Sequence, residues 1–253
     1  MAITHFGNKM LRGTKIDRVV DSLGSSADGT NSGVTLIETL NTGVAIPTNA
    51  GWSSNTTDIS TSSSGVAFSF DSSSIDETVY YDLQNSSVLN GSNANDTKWT
   101  LRGKLAFSNN TANGTSAQAF DLRIALCADT SYSGETPSQE NIGLAIGNRS
   151  GNTNYLITHA MNSGSSDQSV SNTDSISNGA NTYYFQLEKQ SATTLQLKIF
   201  SDSSFSTQVG TTLTDTFSNI TALRYLHVSG FSQTVGGSGN MTGVISELKI
   251  HDN

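Results

Sequence analysis

The chain has 253 residues, a formal net charge of −8, 13% charged residues and two prolines. Its 13 basic residues are scattered, which argues against non-specific nucleic-acid binding, where clustered Lys and Arg must displace counterions. Cys127 is the one cysteine, so no intrachain disulfide forms, and no run reaches the roughly 18 apolar residues of a membrane helix.

Residues 1–32 read as an N-terminal arm or extension. They carry Lys9, Arg12, Lys15 and Arg18 and then a turn-rich run over 22–33. This segment reads either as a first strand and loop of the same domain or as an assembly anchor that docks on a neighbouring subunit. It contains no apolar run of signal-peptide length. From residue 33 to 253 short apolar–polar alternations predict one β-sandwich, with strands at 34–39, 65–70, 77–83, 97–107, 119–127, 141–147, 153–159, 182–189, 193–200, 223–230 and 242–251. The clearest is 97–107. Trp99, Leu101, Leu105 and Phe107 share a core face, while Lys98, Thr100, Arg102 and Lys104 share a solvated one. Cys127 falls on a strand as a small packed hydrophobe. Residues 182–200 read as a hairpin turning at Gln190-Ser-Ala192. The Ser-, Asn- and Gly-rich tracts 53–64, 108–118 and 161–180 read as surface loops, where recognition residues concentrate.

Four segments carry a resemblance to a known superfamily. They are Asn181-Thr-Tyr-Tyr-Phe-Gln-Leu-Glu-Lys-Gln190, Thr194-Leu-Gln-Leu-Lys-Ile-Phe-Ser-Asp202, Leu223-Arg-Tyr-Leu-His-Val-Ser-Gly230 and Gly243-Val-Ile-Ser-Glu-Leu-Lys-Ile-His-Asp252. Together with Tyr81-Asp-Leu83 and Lys98-Trp-Thr-Leu-Arg102, they resemble the concanavalin A-like lectin/glucanase superfamily, including its laminin-G-like members, over roughly 65–252. The resemblance implies an all-β jelly roll of two antiparallel sheets, one often concave. It covers lectins, hydrolases, adhesion modules and viral appendages, so it implies a fold before a function.

No catalytic pattern accompanies it. The superfamily's retaining glucanases set carboxylates on one strand as Glu-x-Asp-x-Glu, yet no two of the 21 acidic residues here lie at i and i+2. His5, His159, His227 and His251 lack zinc-ligand spacing, and no G-x-S-x-G elbow occurs. No cofactor motif is present. Calcium is the one ion the turn chemistry would suit, through Asp28, Asn31, Asp71, Asp76, Asn93, Asn95 and Asp96. Aromatic residues in loops or on outward faces, Trp52, Tyr132, Tyr155 and Tyr184, are the candidate glycan-binding residues.

These features lead to the expectation of a non-enzymatic structural or adhesion protein of a virion or extracellular assembly, a capsid-decorating or fibre/tail-appendage component located in the virion or outside the cell without a cleaved signal peptide. Its partners would be further copies of itself or other assembly proteins, with cell-surface glycans in addition. The alternative is a carbohydrate-binding, lectin-like domain.

Overall fold

A strand with alternating residues has one face to bury, and two such faces must meet to form a core. The computed structural model shows them meeting. It describes residues 44–70, 76–84, 98–111, 120–131, 140–149, 153–162, 165–171, 176–217, 220, 223–232 and 240–252. The chain divides into two units, Met1–Val44 and Ala45–Asn253, and the sandwich is built in the second.

Among the described residues there are fourteen strands and no helix: β1 (Val44–Ala45), β2 (Ile59–Ser62), β3 (Gly65–Phe70), β4 (Asp76–Asp82), β5 (Trp99–Thr111), β6 (Phe120–Cys127), β7 (Asn141–Arg149), β8 (Thr153–Asn162), β9 (Ser165–Ser171), β10 (Asn181–Ser191), β11 (Thr194–Phe200), β12 (Gln208–Thr216), β13 (Tyr225–Ser232) and β14 (Asn240–Asp252). They form two sheets. One has eight strands in the order β12-β11-β10-β5-β14-β3-β2, with β1 beside β14; the other has six, β4-β13-β6-β7-β8-β9. At the edges β12 contacts β8 and β9, and β2 contacts β4, which closes the sandwich at both sides.

The core is the alternation made physical. Trp99, Leu101 and Leu105 of β5, Phe185 and Leu187 of β10, and Leu195 and Leu197 of β11 are fully or almost fully buried. They face Leu122, Ile124 and Leu126 of β6, Ile142 and Leu144 of β7, and Leu226 and Val228 of β13, all completely buried. Lys189 continues the inward phase of β10 and is 1% exposed. Burying an ammonium is costly unless it is paired, and its Nζ donates to the Ile220 carbonyl at 2.6 Å beside the Phe217 ring.

A bulge in β14 sets the phase of the eight-stranded sheet. Ser246 pairs with Lys104 and Lys249 with Arg102, so Glu247 and Leu248 stand opposite Gly103 alone. Leu248 turns inward and is buried, while Glu247, at φ 53°, stays exposed on the outer face. Gly103 makes room for this. A Cβ there would lie 2.6 Å from Phe185 Cζ and 2.9 Å from Leu248 Cδ2.

The outer face of the six-stranded sheet is closed at its centre. Ala125, Cys127, Ala145, His227 and Ser229 point away from the sandwich core, yet each is at most 2% exposed. A Cβ on Gly143 would stand 2.7 Å from that of Ala125, where cross-strand neighbours normally keep about 4.5–5.5 Å. The sheet is therefore pinched on this face, and glycine is what permits it. His227 packs on Tyr80, ring centroids 5.5 Å apart. Its Nε2 lies 2.9 Å from the Asp129 carbonyl, so Nε2 carries the proton and Nδ1 accepts from the Thr78 hydroxyl at 3.1 Å. Burial of the ring lowers its pKa from 6.5 to about 4. Cys127 is buried beside it, which pushes its thiol pKa well up and leaves it the packed hydrophobe expected.

Four strands arise where none is expected, β1, β2, β9 and β12, and two of them occupy tracts read as surface loops: β2 within 53–64 and β9 within 161–180. β2, β9 and β12 are edge strands, paired on one side only. There the backbone pairing needs few apolar side chains, so the alternation fades. The expected strand at 34–39 and the arm bearing Lys9, Arg12, Lys15 and Arg18 lie outside the described residues.

Gly103→Val should destabilise the sandwich by about 1–3 kcal/mol through overpacking against Phe185 and Leu248, read as a lower midpoint in urea unfolding. Lowering the pH from 6.5 towards 4 lets the unfolded chain take a proton on residue 227 that the folded chain refuses. Stability should therefore fall across that window, by on the order of 3 kcal/mol for His227. In His227→Gln, the wild-type-minus-variant difference in unfolding free energy should carry this slope; a flat difference would assign the pH dependence to other groups.

Candidate functional site

The outer face of the eight-stranded sheet carries a connected layer of polar and aromatic side chains. Register places them in rows, because residues directly opposite on neighbouring strands share a face. One row runs Lys249 (β14), Arg102 (β5), Gln186 (β10) and Lys198 (β11). The next holds Ser246, Lys104, Tyr184 and Phe200. Arg102 Nε donates to Gln186 Oε1 at 2.9 Å, and Gln186 Nε2 donates to Glu188 Oε2 at 3.2 Å. Lys198 pairs with that carboxylate at 3.8 Å. Farther along, Gln190 Nε2 donates to Gln196 Oε1 at 2.8 Å, and Gln196 Nε2 to Thr214 Oγ1 at 3.3 Å. Lys104 reaches the bulge residue Glu247 at 3.4 Å. These are half-exposed pairs, so each adds little stability; their effect is to hold the amides and cations in place.

One aromatic residue on this face is held against its backbone preference. The turn between β11 and β12 is organised by Asp202, whose carboxylate accepts the backbone N–H groups of Ser204 (3.0 Å), Ser206 (3.2 Å) and Thr207 (2.6 Å) and both serine hydroxyls. The Ser204 hydroxyl above all, with these N–H groups, holds the Asp202 pKa far below the usual carboxylate range. The turn presents Phe205 at φ 56°, a left-handed conformation in which a bulky side chain is a genuine outlier. Its ring covers Phe200 at 5.4 Å, meets Tyr184 edge-on at 6.0 Å and lies under the Arg102 guanidinium at 4.7 Å. Phe205 and Glu247 are the two non-glycine residues with positive φ among the described residues, and they flank the same Arg102–Lys104 pair. Strained conformations persist where the surroundings over-determine them, and they cluster at functional sites.

Among the described residues, Tyr184 stands on the eight-stranded sheet, whereas Trp52 bridges to β4 and Tyr155 belongs to β8, both in the six-stranded one. Tyr184 faces outward within this layer. Trp52 is half-buried, bridges Tyr81 with rings 5.7 Å apart, and donates from Nε1 to the Pro47 carbonyl at 2.6 Å. These contacts hold Trp52 at the edge of the other sheet. Tyr155 sits in β8 opposite Gly147, and Tyr132 lies outside the described residues. Phe205, Gln186, Glu188, Lys198, Glu247 and Lys249 escape sequence reasoning. The even-numbered positions of 182–198 carried a signal, since they are the polar phase of the hairpin. Phe205 has none, because its position comes from the turn around Asp202. Of the calcium-type donors only Asp76 is described, and among the described residues no cluster of three His, Cys, Asp or Glu could hold a metal.

No protein-family model matches the chain, and no curated protein matches it. Solved structures do. An alginate lyase from Klebsiella pneumoniae is similar at 11% identity and a TM-score of 0.49, over 79% of this chain and 86% of that one. A legume lectin-like domain from Entamoeba histolytica is similar at 11% identity and a TM-score of 0.44, over 86% of this chain and 93% of that one. The enzymatically active domain of bacteriophage CBA120 tailspike protein 2 is similar at 9% identity and a TM-score of 0.43, over 81% of this chain and 30% of that one. These findings correct the expectation of a non-enzymatic structural or adhesion protein. Catalytic groups can also be assembled from different strands, so a missing Glu-x-Asp-x-Glu pattern on one strand does not make this chain a non-enzyme. At these identities the likeness concerns the fold, and the fold is a concanavalin-like jelly roll of two antiparallel sheets.

Proposed function

We propose that the chain is a carbohydrate-binding domain that takes a glycan on the outer face of its eight-stranded sheet. The observation that carries this reading is Phe205, held at positive φ against Tyr184 and Arg102 beside a row of pre-positioned amides. Sugar rings present C–H faces that pack on aromatic rings and hydroxyls that bond to planar amide and guanidinium groups. This face offers both. Tyr184 and Phe205 are half-exposed, with Gln186, Gln190 and Gln196 alongside. Each amide donates and accepts, which suits a hydroxyl that does the same. Holding the groups before the ligand arrives lowers the ordering cost of binding.

The test is a glycan array followed by calorimetry with the best ligand. Tyr184→Ala and Phe205→Ala should each weaken binding about ten-fold, equivalent to ~1.4 kcal/mol, and Phe205→Ala should also lower the thermal midpoint, because alanine keeps the strained φ and loses the ring contacts that offset it. Asp202→Ala should weaken it similarly through Phe205, although its carboxylate is turned into its own loop. Phe205→Gly should lose the same affinity yet be more stable than Phe205→Ala by about 1 kcal/mol, because glycine has no penalty at φ 56°. An empty array, or aromatic variants that bind as the wild type does, would overturn the reading.

A further inference from the structure

The charge on this face departs from that of the whole protein. The chain is acidic, at −8. The outer face of the eight-stranded sheet nevertheless gathers four cations: Arg102 and Lys104 on β5, Lys198 on β11 and Lys249 on β14. Three carboxylates accompany them, Glu188, Glu247 and Asp202, and the last is saturated by its own loop. Lys249 and Arg102 stand directly opposite one another. Like charges in that position destabilise a sheet. Lys249 is exposed, and no ion pair of it is found among the described residues.

From this row we infer that the glycan is polyanionic, a chain bearing carboxylates or sulfates, laid across the strands along Lys249, Arg102, Gln186 and Lys198. This rests on the carbohydrate-binding reading above and names its ligand class. Four adjacent strands at ~4.8 Å spacing put the outer members of the row ~14 Å apart. A pyranose ring is about as long as one such spacing, so successive acidic sugars fall in register with successive strands. Arg102 spends Nε on Gln186, which leaves its two terminal NH2 groups as a fork for a carboxylate or sulfate. An anion between Lys249 and Arg102 removes the repulsion the free protein carries. A protein partner fits less well, because interface cores are apolar and depleted in Lys, whereas this row is polar throughout.

The experiment is calorimetric titration of the full chain with matched pairs of polymers: polygalacturonate and its carboxyl-reduced form, and dextran sulfate and dextran. Poly-glutamate serves as a non-sugar polyanion. At least one charged polymer should bind about ten-fold tighter than its neutral partner, as expected for a few exposed ion pairs acting together. The preference should shrink between about 0.02 M and about 0.3 M NaCl. The Lys198→Ala/Lys249→Ala variant should lose the preference, its affinity for the charged polymer falling by more than its affinity for the neutral one. Equal affinity for charged and neutral partners would overturn this inference and leave the carbohydrate reading standing. Poly-glutamate binding as tightly as the charged glycans would overturn it in favour of an acidic polypeptide. No binding to any polysaccharide, with an empty array, would overturn both.

Discussion

The structure depends on β5 being hydrogen-bonded along both edges, to β10 on one side and β14 on the other. A strand paired on both sides cannot slip without turning its whole apolar face to solvent. Trp99, Leu101 and Leu105 lock that phase from below. Once it is locked, every outward residue of β5 has a defined neighbour to left and right. Arg102 meets Gln186 and Lys249; Lys104 meets Tyr184 and Ser246. The proposed binding face is thus the reverse side of a strand whose inward residues are fixed in the core. Core packing and ligand geometry are two consequences of one register.

Two local departures from ideal geometry adapt that face. The β14 bulge inserts one extra residue so that Leu248 fills the space above Gly103 while Glu247 is delivered outward to Lys104. The Asp202 turn returns Phe205 over a sheet that has already spent its strand residues. Both departures place a non-glycine residue in the left-handed region. In each case the strain is offset by partners: an ion pair for Glu247, and two rings and a guanidinium for Phe205. A loop saturated by five hydrogen bonds to one carboxylate is a stiff mount for an aromatic ring, which is what a preorganised contact needs.

The two outer faces of the sandwich differ in kind. On the six-stranded sheet, small residues and a neutral His227 pack into a closed layer in which both ring nitrogens of the histidine are used internally. The Asp82–Arg224 pair beside it, bonded through both carboxylate oxygens, closes the β4–β13 edge. On the eight-stranded sheet the polar groups are linked to one another but stay half-exposed. Acid would act mainly on the first face, through the histidine. Salt would act mainly on the second, through screening of its cations.

Much of the fold was legible in sequence. Ten strands follow from period-two alternation or from an apolar run, because a strand buried in a sandwich must carry apolar residues where it meets the core. Tyr184 was legible for the same reason, as the polar phase of a strong strand. The edge strands β2, β9 and β12 were not, since their stability comes from backbone pairing to a neighbour that only the assembled sheet supplies. Nor was the site. Lys249, Arg102, Gln186 and Lys198 come from three separate stretches of chain, and register alone lines them up. The contacts of Trp52 with the Tyr81 ring and the Pro47 carbonyl were not legible either, because register and loop closure bring them together. The sequence by itself determined which faces are buried, because alternation encodes burial directly. Only the tertiary structure decided which polar residues become neighbours, because hydrogen bonds between strands carry no signature in the residues they bring together.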